Sequence, residues 1–244
     1  MLSGTADLAT LAHRAPTMDS LDGPGFVFED AAVLQASFEM DYSTREPLLP
    51  AGLHPTTPPL LVVLVWKVPG GTWGPFTMVQ VRVSCRSGVR PRNFVAGCIV
   101  DSDDATAALR SHWGLPAVTG TVGLDRYYDS VRLEAAAGPA PAIVLTGVDP
   151  DPLGPTDAQY TVTSTLAHTP RGLRLVQVEP EYEMRRVERV RPRLEAFDGG
   201  EWGETGLRPR HPVSATIAVG TITVPPLRYL SRPDVSAFEG TERI

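Results

Sequence analysis

Residues 76–85 alternate without a break, and that alternation restricts the chain to a β-rich fold. Val79, Val81, Val83 and Cys85 occupy one side, while Met78, Gln80, Arg82 and Ser84 occupy the other, which is the period of two that a strand imposes. Further strands are expected at 26–41, 60–68, 94–100, 121–124, 130–136, 142–147, 160–165, 173–179, 184–193 and 213–224, separated by Gly and Pro turn signals such as Pro69-Gly70-Gly71. One helix is expected mid-chain. Asp101, Ser102, Asp103 and Asp104 supply its cap and acidic first turn, and it runs to His112 before Gly114 and Pro116 stop it. Many short strands without a βαβ rhythm predict an α+β, mostly β, barrel or sandwich. Residues 1–25, polar and rich in Gly, Pro and Ala, read as a mobile N-terminal arm with at most one short helix. Residues 26–244 read as a single domain.

Charge and composition exclude several classes of function. The net charge of −6, with no basic block, argues against nucleic acid as the partner. No segment has the roughly 18–20 consecutive apolar residues of a membrane helix. Residues 1–17 lack the basic start and apolar stretch of a secretory signal, so a cytoplasmic location is expected. The histidines (His13, His54, His112, His168, His211) show no metal-binding spacing. If residues 78–85 and 94–100 form a hairpin closed around Val89, Cys85 falls opposite Phe94 and Cys98 opposite Val81, too far apart for a disulfide. Among 22 basic residues a single lysine stands, Lys67, all the others being arginine. Only that side chain can form an imine with a carbonyl compound.

Several stretches resemble the acetoacetate decarboxylase family. Leu48-Leu49-Pro50-Ala51-Gly52-Leu53, Gly74-Pro75-Phe76-Thr77-Met78 and Cys98-Ile99-Val100-Asp101-Ser102-Asp103-Asp104-Ala105 are similar to the segments around that family's long barrel strands and its strand-to-helix corner. Leu109-Arg110-Ser111-His112-Trp113-Gly114-Leu115-Pro116 is similar to its Gly-Arg-Glu-x-Trp-Gly-x-Pro motif, and this stretch is the specific one. The resemblance spans about residues 26–230 and implies a β-barrel with a few flanking helices. It further implies a homo-oligomer that works on a small molecule in an interior cavity without cofactor or metal.

The departures from the motif govern the expected chemistry. In the family two lysines follow the motif proline. The first forms an imine with a ketone, and the second, as a neighbouring cation, lowers the first one's pKa. Ala117 and Val118 occupy those positions here, and Met78 replaces the family's strand-entry glutamate. An imine cannot form at that place.

The remaining candidates carry competing readings. Gln80 and Arg82 share a face with Met78 and would line the cavity, Arg82 holding a carboxylate or enolate; alternatively that face is solvated. His112 is a candidate acid or base, or a plain helix-end histidine. Arg110 lines the site or braces the helix end, with bracing preferred. In the charged run from Glu179 to Arg193, Glu183 is the candidate for a carboxylate projecting inward, against ordinary cross-strand ion pairing. Trp113, Leu115, Ala117, Val118 and Met78 would make an apolar binding wall. Lys67, on the face of Val63 and Val65, either reaches the cavity or reaches solvent. The expected function is a small-molecule enzyme of secondary metabolism, a lyase, cyclase or isomerase. It would cyclise, dehydrate or isomerise a carbonyl-containing, polyketide-like substrate without an imine. A non-catalytic binding barrel and a decarboxylase or aldolase using Lys67 are the alternatives.

Overall fold

The computed structural model describes residues 2–244. A seven-residue helix α1 (Leu8–Arg14) precedes the long strand β1 (Phe26–Met40). Then come β2 (His54–Pro55), β3 (Leu60–Val68), β4 (Phe76–Ser87) and β5 (Arg90–Val100), followed by α2 (Asp103–Trp113). The middle of the chain forms β6 (Ala117–Thr119), β7 (Thr121–Arg126), β8 (Ser130–Ala136) and β9 (Ile143–Leu153). The remainder forms β10 (Thr163–Thr169), β11 (Gly172–Val178), β12 (Glu181–Phe197), β13 (Pro209–Val224), β14 (Tyr229–Ser231), α3 (Ala237–Gly240) and β15 (Thr241–Arg243).

All the strands belong to one mixed sheet, in the order β15-β14-β11-β10-β5-β4-β3-β1-β13-β12-β9-β8-β7, with β2 on β4 and β6 parallel to β5. The two end strands do not pair, so the sheet is open. The expectation of a barrel is corrected to a large mixed sheet with apolar residues packed on both of its faces, while the mostly β, α+β class stands.

Strand β4 shows how the sheet makes two interiors. Ten consecutive residues from Phe76 to Cys85 are buried. Val79, Val81, Val83 and Cys85 pack with Val63 and Val65 of β3 and with Leu124, Val131 and Leu133 of the β7–β8 hairpin. Met78, on the alternate face, packs with Trp66, Val95, Cys98, Trp113, Val176 and Val187. The period of two thus separates two apolar interiors rather than core from solvent.

The β4–β5 hairpin differs in register from the expected one. Its loop is Gly88-Val89, with Gly88 at φ +60°, as a tight two-residue turn requires. Cys85 therefore faces Arg92, and Cys98 faces Gln80 after a bulge at Ala96. The bulge keeps Val95 and Cys98 on one face although they are three residues apart. Both cysteines are free, each in a different interior.

Helix α2 is capped as expected. The Ser102 hydroxyl accepts from the Ala105 N–H, and Gly114 ends the helix at φ +62°, its N–H donating to the Arg110 carbonyl. The N-terminal segment is docked, in contrast to the mobile arm expected. Met18 is 1% exposed, Thr17 bridges to His168, and the Gly4 N–H donates to the Leu53 carbonyl. Residues 154–162, expected in part as strand, form the loop between β9 and β10. No helix among the described residues is long and apolar enough to cross a membrane.

Candidate functional site

Arg82 is the most unusual side chain in the molecule. It is 1% exposed, in the interior that also holds Trp66 and Met78. Its Nε donates to Gln80 Oε1 at 2.8 Å, its Nη1 reaches the Thr161 carbonyl at only 3.5 Å, and its Nη2 has no partner. No carboxylate pairs with it among the described residues. Burial pulls its pKa down to about 10, against smaller upward effects of Tyr182 and Cys98. An uncompensated buried cation costs several kcal/mol, roughly, and is retained where an anion completes it.

Further unpaired polar atoms adjoin this guanidinium through Tyr182. Trp66 Nε1 and the hydroxyls of Tyr160, Tyr182 and Thr216 are all buried without a hydrogen-bond partner. Tyr182 stacks on Tyr160 at 4.3 Å between ring centroids and meets Trp66 nearly edge-on at 6.1 Å. Burial pushes the Tyr160 phenol up to about 12, and pushes that of Tyr182 up as well, with Arg82 and Trp66 partly opposing the rise in Tyr182. Trp66 and Thr216 sit close enough to the two phenols to influence them, yet neither forms a hydrogen bond to them. Cys98 is likewise pushed up to about 12 by burial, with Arg82 opposing. The one buried carboxylate among the described residues is Glu188. It is ion-paired to Arg126 and Arg186, beside Ile217 of the other interior. The Arg82 cluster thus holds donors and a cation and, at neutral pH, no base.

The framework places the altered motif beside this cluster. Gln80 pairs with Cys98, and Cys98 with Ala117, so the position that carries the family's imine lysine lies in the Gln80 row, two strands across. Ala117 is buried; Val118, on the alternate face, is 45% exposed and does not join the cluster. Arg110 Nη1 donates to the Ala117 carbonyl at 3.0 Å, so this arginine braces β6. Trp113 is buried and meets Trp66 edge-on at 6.2 Å, and Leu115 is buried in the same interior.

Other candidates lie elsewhere. His112 stacks on Trp73 at the edge of a cleft of about 160 Å³ also lined by Phe26 and Trp113. Glu183 is exposed; the expectation that it projects inward is corrected, because its neighbours Tyr182 and Met184 take the inward direction. Lys67 shares the Val63–Val65 face, as the count by twos predicts, but that face looks into the other interior. Its side chain is 48% exposed, donates to the Leu124 carbonyl at 2.8 Å and lies 3.7 Å from Asp125. Gln80, Arg82 and Tyr182 line neither this cleft nor the one beside Lys67; residues 159–161 close over them. Gln35 Nε2 donates to the Gln159 carbonyl, Tyr160 stacks on Tyr182, and Thr161 meets Arg82.

Sequence reasoning missed Tyr182, Trp66 and Tyr160. Tyr182 was recoverable, since Tyr182 and Met184 interrupt the charged alternation of Glu181, Glu183 and Arg185. Tyr160 sits in a loop and gave no signal.

Comparison with known proteins agrees with this fold. The family model described as acetoacetate decarboxylase matches residues 12–201. A solved acetoacetate decarboxylase superposes with a TM-score of 0.76 at 16% identity, over 91% of this chain and 90% of its own. The enduracididine biosynthesis enzyme MppR, complexed with pyruvate, gives 0.68 at 15% identity over 91% of each chain. An acetoacetate decarboxylase-like enzyme from Sphingomonas wittichii RW1 gives 0.68 at 15% identity over 99% of each. No curated protein sequence matches significantly.

Proposed function

This chain belongs to the acetoacetate decarboxylase family, and from that membership we propose that it is an enzyme that binds a small oxo-carboxylate against Arg82 and transforms its carbonyl end without an imine. One observation carries the reading: a fully buried guanidinium with a free Nη2 and no counter-charge. A bound carboxylate supplies the missing anion and takes the place of the long contact to the Thr161 carbonyl. Family likeness to MppR, solved with pyruvate, supports an oxo-acid as ligand. Entry requires displacement of residues 159–161.

The same geometry supports some reactions over others. A carboxylate paired with buried Arg82 is stabilised in the ground state, which opposes its departure as carbon dioxide. Removal of a carbon-bound proton by the protein needs a base, and the cluster has none at neutral pH. Intramolecular addition of a ligand hydroxyl or amine to its own polarised carbonyl, a cyclisation, moves the nucleophile's proton to the carbonyl oxygen and needs only donors and a held conformation. Cyclisation is therefore favoured over dehydration. Four convergent polar side chains, Gln80, Arg82, Tyr160 and Tyr182, favour catalysis over simple carriage. Lys67, exposed and on the opposite face, gives the imine alternative no support.

Calorimetric titration with pyruvate, 2-oxopentanoate and 4-oxopentanoate tests the reading, with borohydride trapping run alongside. The expected result is binding that Arg82→Met abolishes and no covalent adduct in the wild type. Undiminished binding in Arg82→Met, or an adduct at Lys67, overturns it.

A further inference from the structure

Beyond holding a carboxylate, the Arg82 cluster has the makings of a site that tells an oxo-acid from the plain acid of the same length. We propose that Tyr182, seconded by Trp66, is the specificity-determining residue that recognises a carbonyl oxygen on the ligand whose carboxylate Arg82 holds. This inference rests on the carboxylate reading above.

The inventory of unsatisfied atoms supports it. Arg82 Nη2 and Trp66 Nε1 can only donate, and the hydroxyls of Tyr160, Tyr182 and Thr216 can donate. A ligand that satisfies them must be rich in acceptors. The single cation with no acid nearby sets its charge at one negative, so two carboxylates would leave one uncompensated. Acceptors beyond that carboxylate must then be neutral oxygens, which is what a ketone offers.

Tyr182 is the best placed of the donors. It stands on β12, held by ladder pairs to β13 through Ile222, whereas Tyr160 stands on the 154–162 loop. Its ring is fixed between Tyr160 and Trp66, and Arg82 is near enough to affect its phenol. Trp66, 2% exposed, is set by β3 and by its edge-on contact with Trp113. Donors carried on paired strands keep their geometry when the loop moves, and discrimination requires that constancy. The Tyr182 hydroxyl has no partner in the free protein, so an oxo-acid gains there a hydrogen bond that the plain acid cannot offer.

Calorimetric titration of the full chain with pentanoate, 2-oxopentanoate and 4-oxopentanoate decides the matter. The wild type is expected to bind one oxo-acid about tenfold more tightly than pentanoate. Tyr182→Phe, which keeps the ring stack, should lose that preference, the ratio of oxo-acid to pentanoate affinity falling to about one; Arg82→Met should bind none of the three. Equal wild-type affinity for all three, or a preference that survives Tyr182→Phe, overturns the role of Tyr182 while leaving the carboxylate reading standing. Failure of the wild type to bind any of them overturns both.

Discussion

Arg82 Nε donates to Gln80 Oε1 at 2.8 Å, and this amide is the guanidinium's one short contact. That bond satisfies one donor of a side chain that stays charged and, at Nη2, unpartnered. Replacing both with apolar residues of similar size, Arg82→Met with Gln80→Leu, is expected to stabilise the ligand-free protein by about 1–4 kcal/mol. Thermal unfolding should rise by several degrees, at roughly 2–4 °C per kcal/mol for a chain of this size. Arg82→Met alone should gain less, since Gln80 Oε1 is then left unpaired. A loss of stability in the double variant would assign Arg82 to the framework instead.

Ala117 lies in the Gln80–Cys98 row, so a lysine there would enter the same interior. Ala117→Lys is expected to give a borohydride-trapped adduct with pyruvate that the wild type does not give, read by intact mass. The added bulk should cost about 1–3 kcal/mol. Val118→Lys, projecting from the exposed face, should give none.

The buried phenols predict a particular alkaline behaviour. Tyr160 is pushed up to about 12, and Tyr182 is pushed up too, both by burial. A group whose folded pKa exceeds its unfolded one contributes stability that is complete below the unfolded value. That stability fades as pH rises towards the folded value, here from about 10 upward. Tyrosinate absorbance should therefore show a late phase coincident with unfolding, and Tyr182→Phe should reduce its amplitude. A single early phase covering every tyrosine would contradict the burial described.

Gly114 ends α2 at φ +62°, and a Cβ there would stand 2.6 Å from Ala167 Cβ and 2.9 Å from Met18 Sδ. Gly114→Ala combines an unfavourable backbone conformation with that clash, and a loss of about 1–3 kcal/mol is expected. Denaturant titration measures it. Because the same turn leads into Ala117, loss of carboxylate binding should accompany it.

Much of this was legible in the chain. The alternation of residues 76–85 correctly put Gln80 and Arg82 on one face, and the acidic cap and Gly114 correctly bounded α2. What the alternation could not state was that β4 is buried on both sides, because a strand between two interiors and a strand between core and solvent share the same period. The Cys98 register was missed because the turn falls at Gly88-Val89, two positions off the expected pairing, and the bulge at Ala96 recovers only one of them. Glu183 was favoured for its chemistry, although Tyr182 and Met184 were the residues that the apolar pattern sent inward. Tyr160 comes from a loop, and only tertiary packing brings it to Tyr182.

Strand β4 offers ten successive positions without a surface among them. A protein engineer who wished to reshape the Arg82 cluster would have no neutral site among those ten positions from which to begin. Each change at Val79 or Val81 would press on the β7–β8 side, and each at Met78 or Gln80 on the α2 side. New chemistry on this scaffold is more accessible from β6, β12 and the 154–162 loop, where the neighbouring positions still meet water.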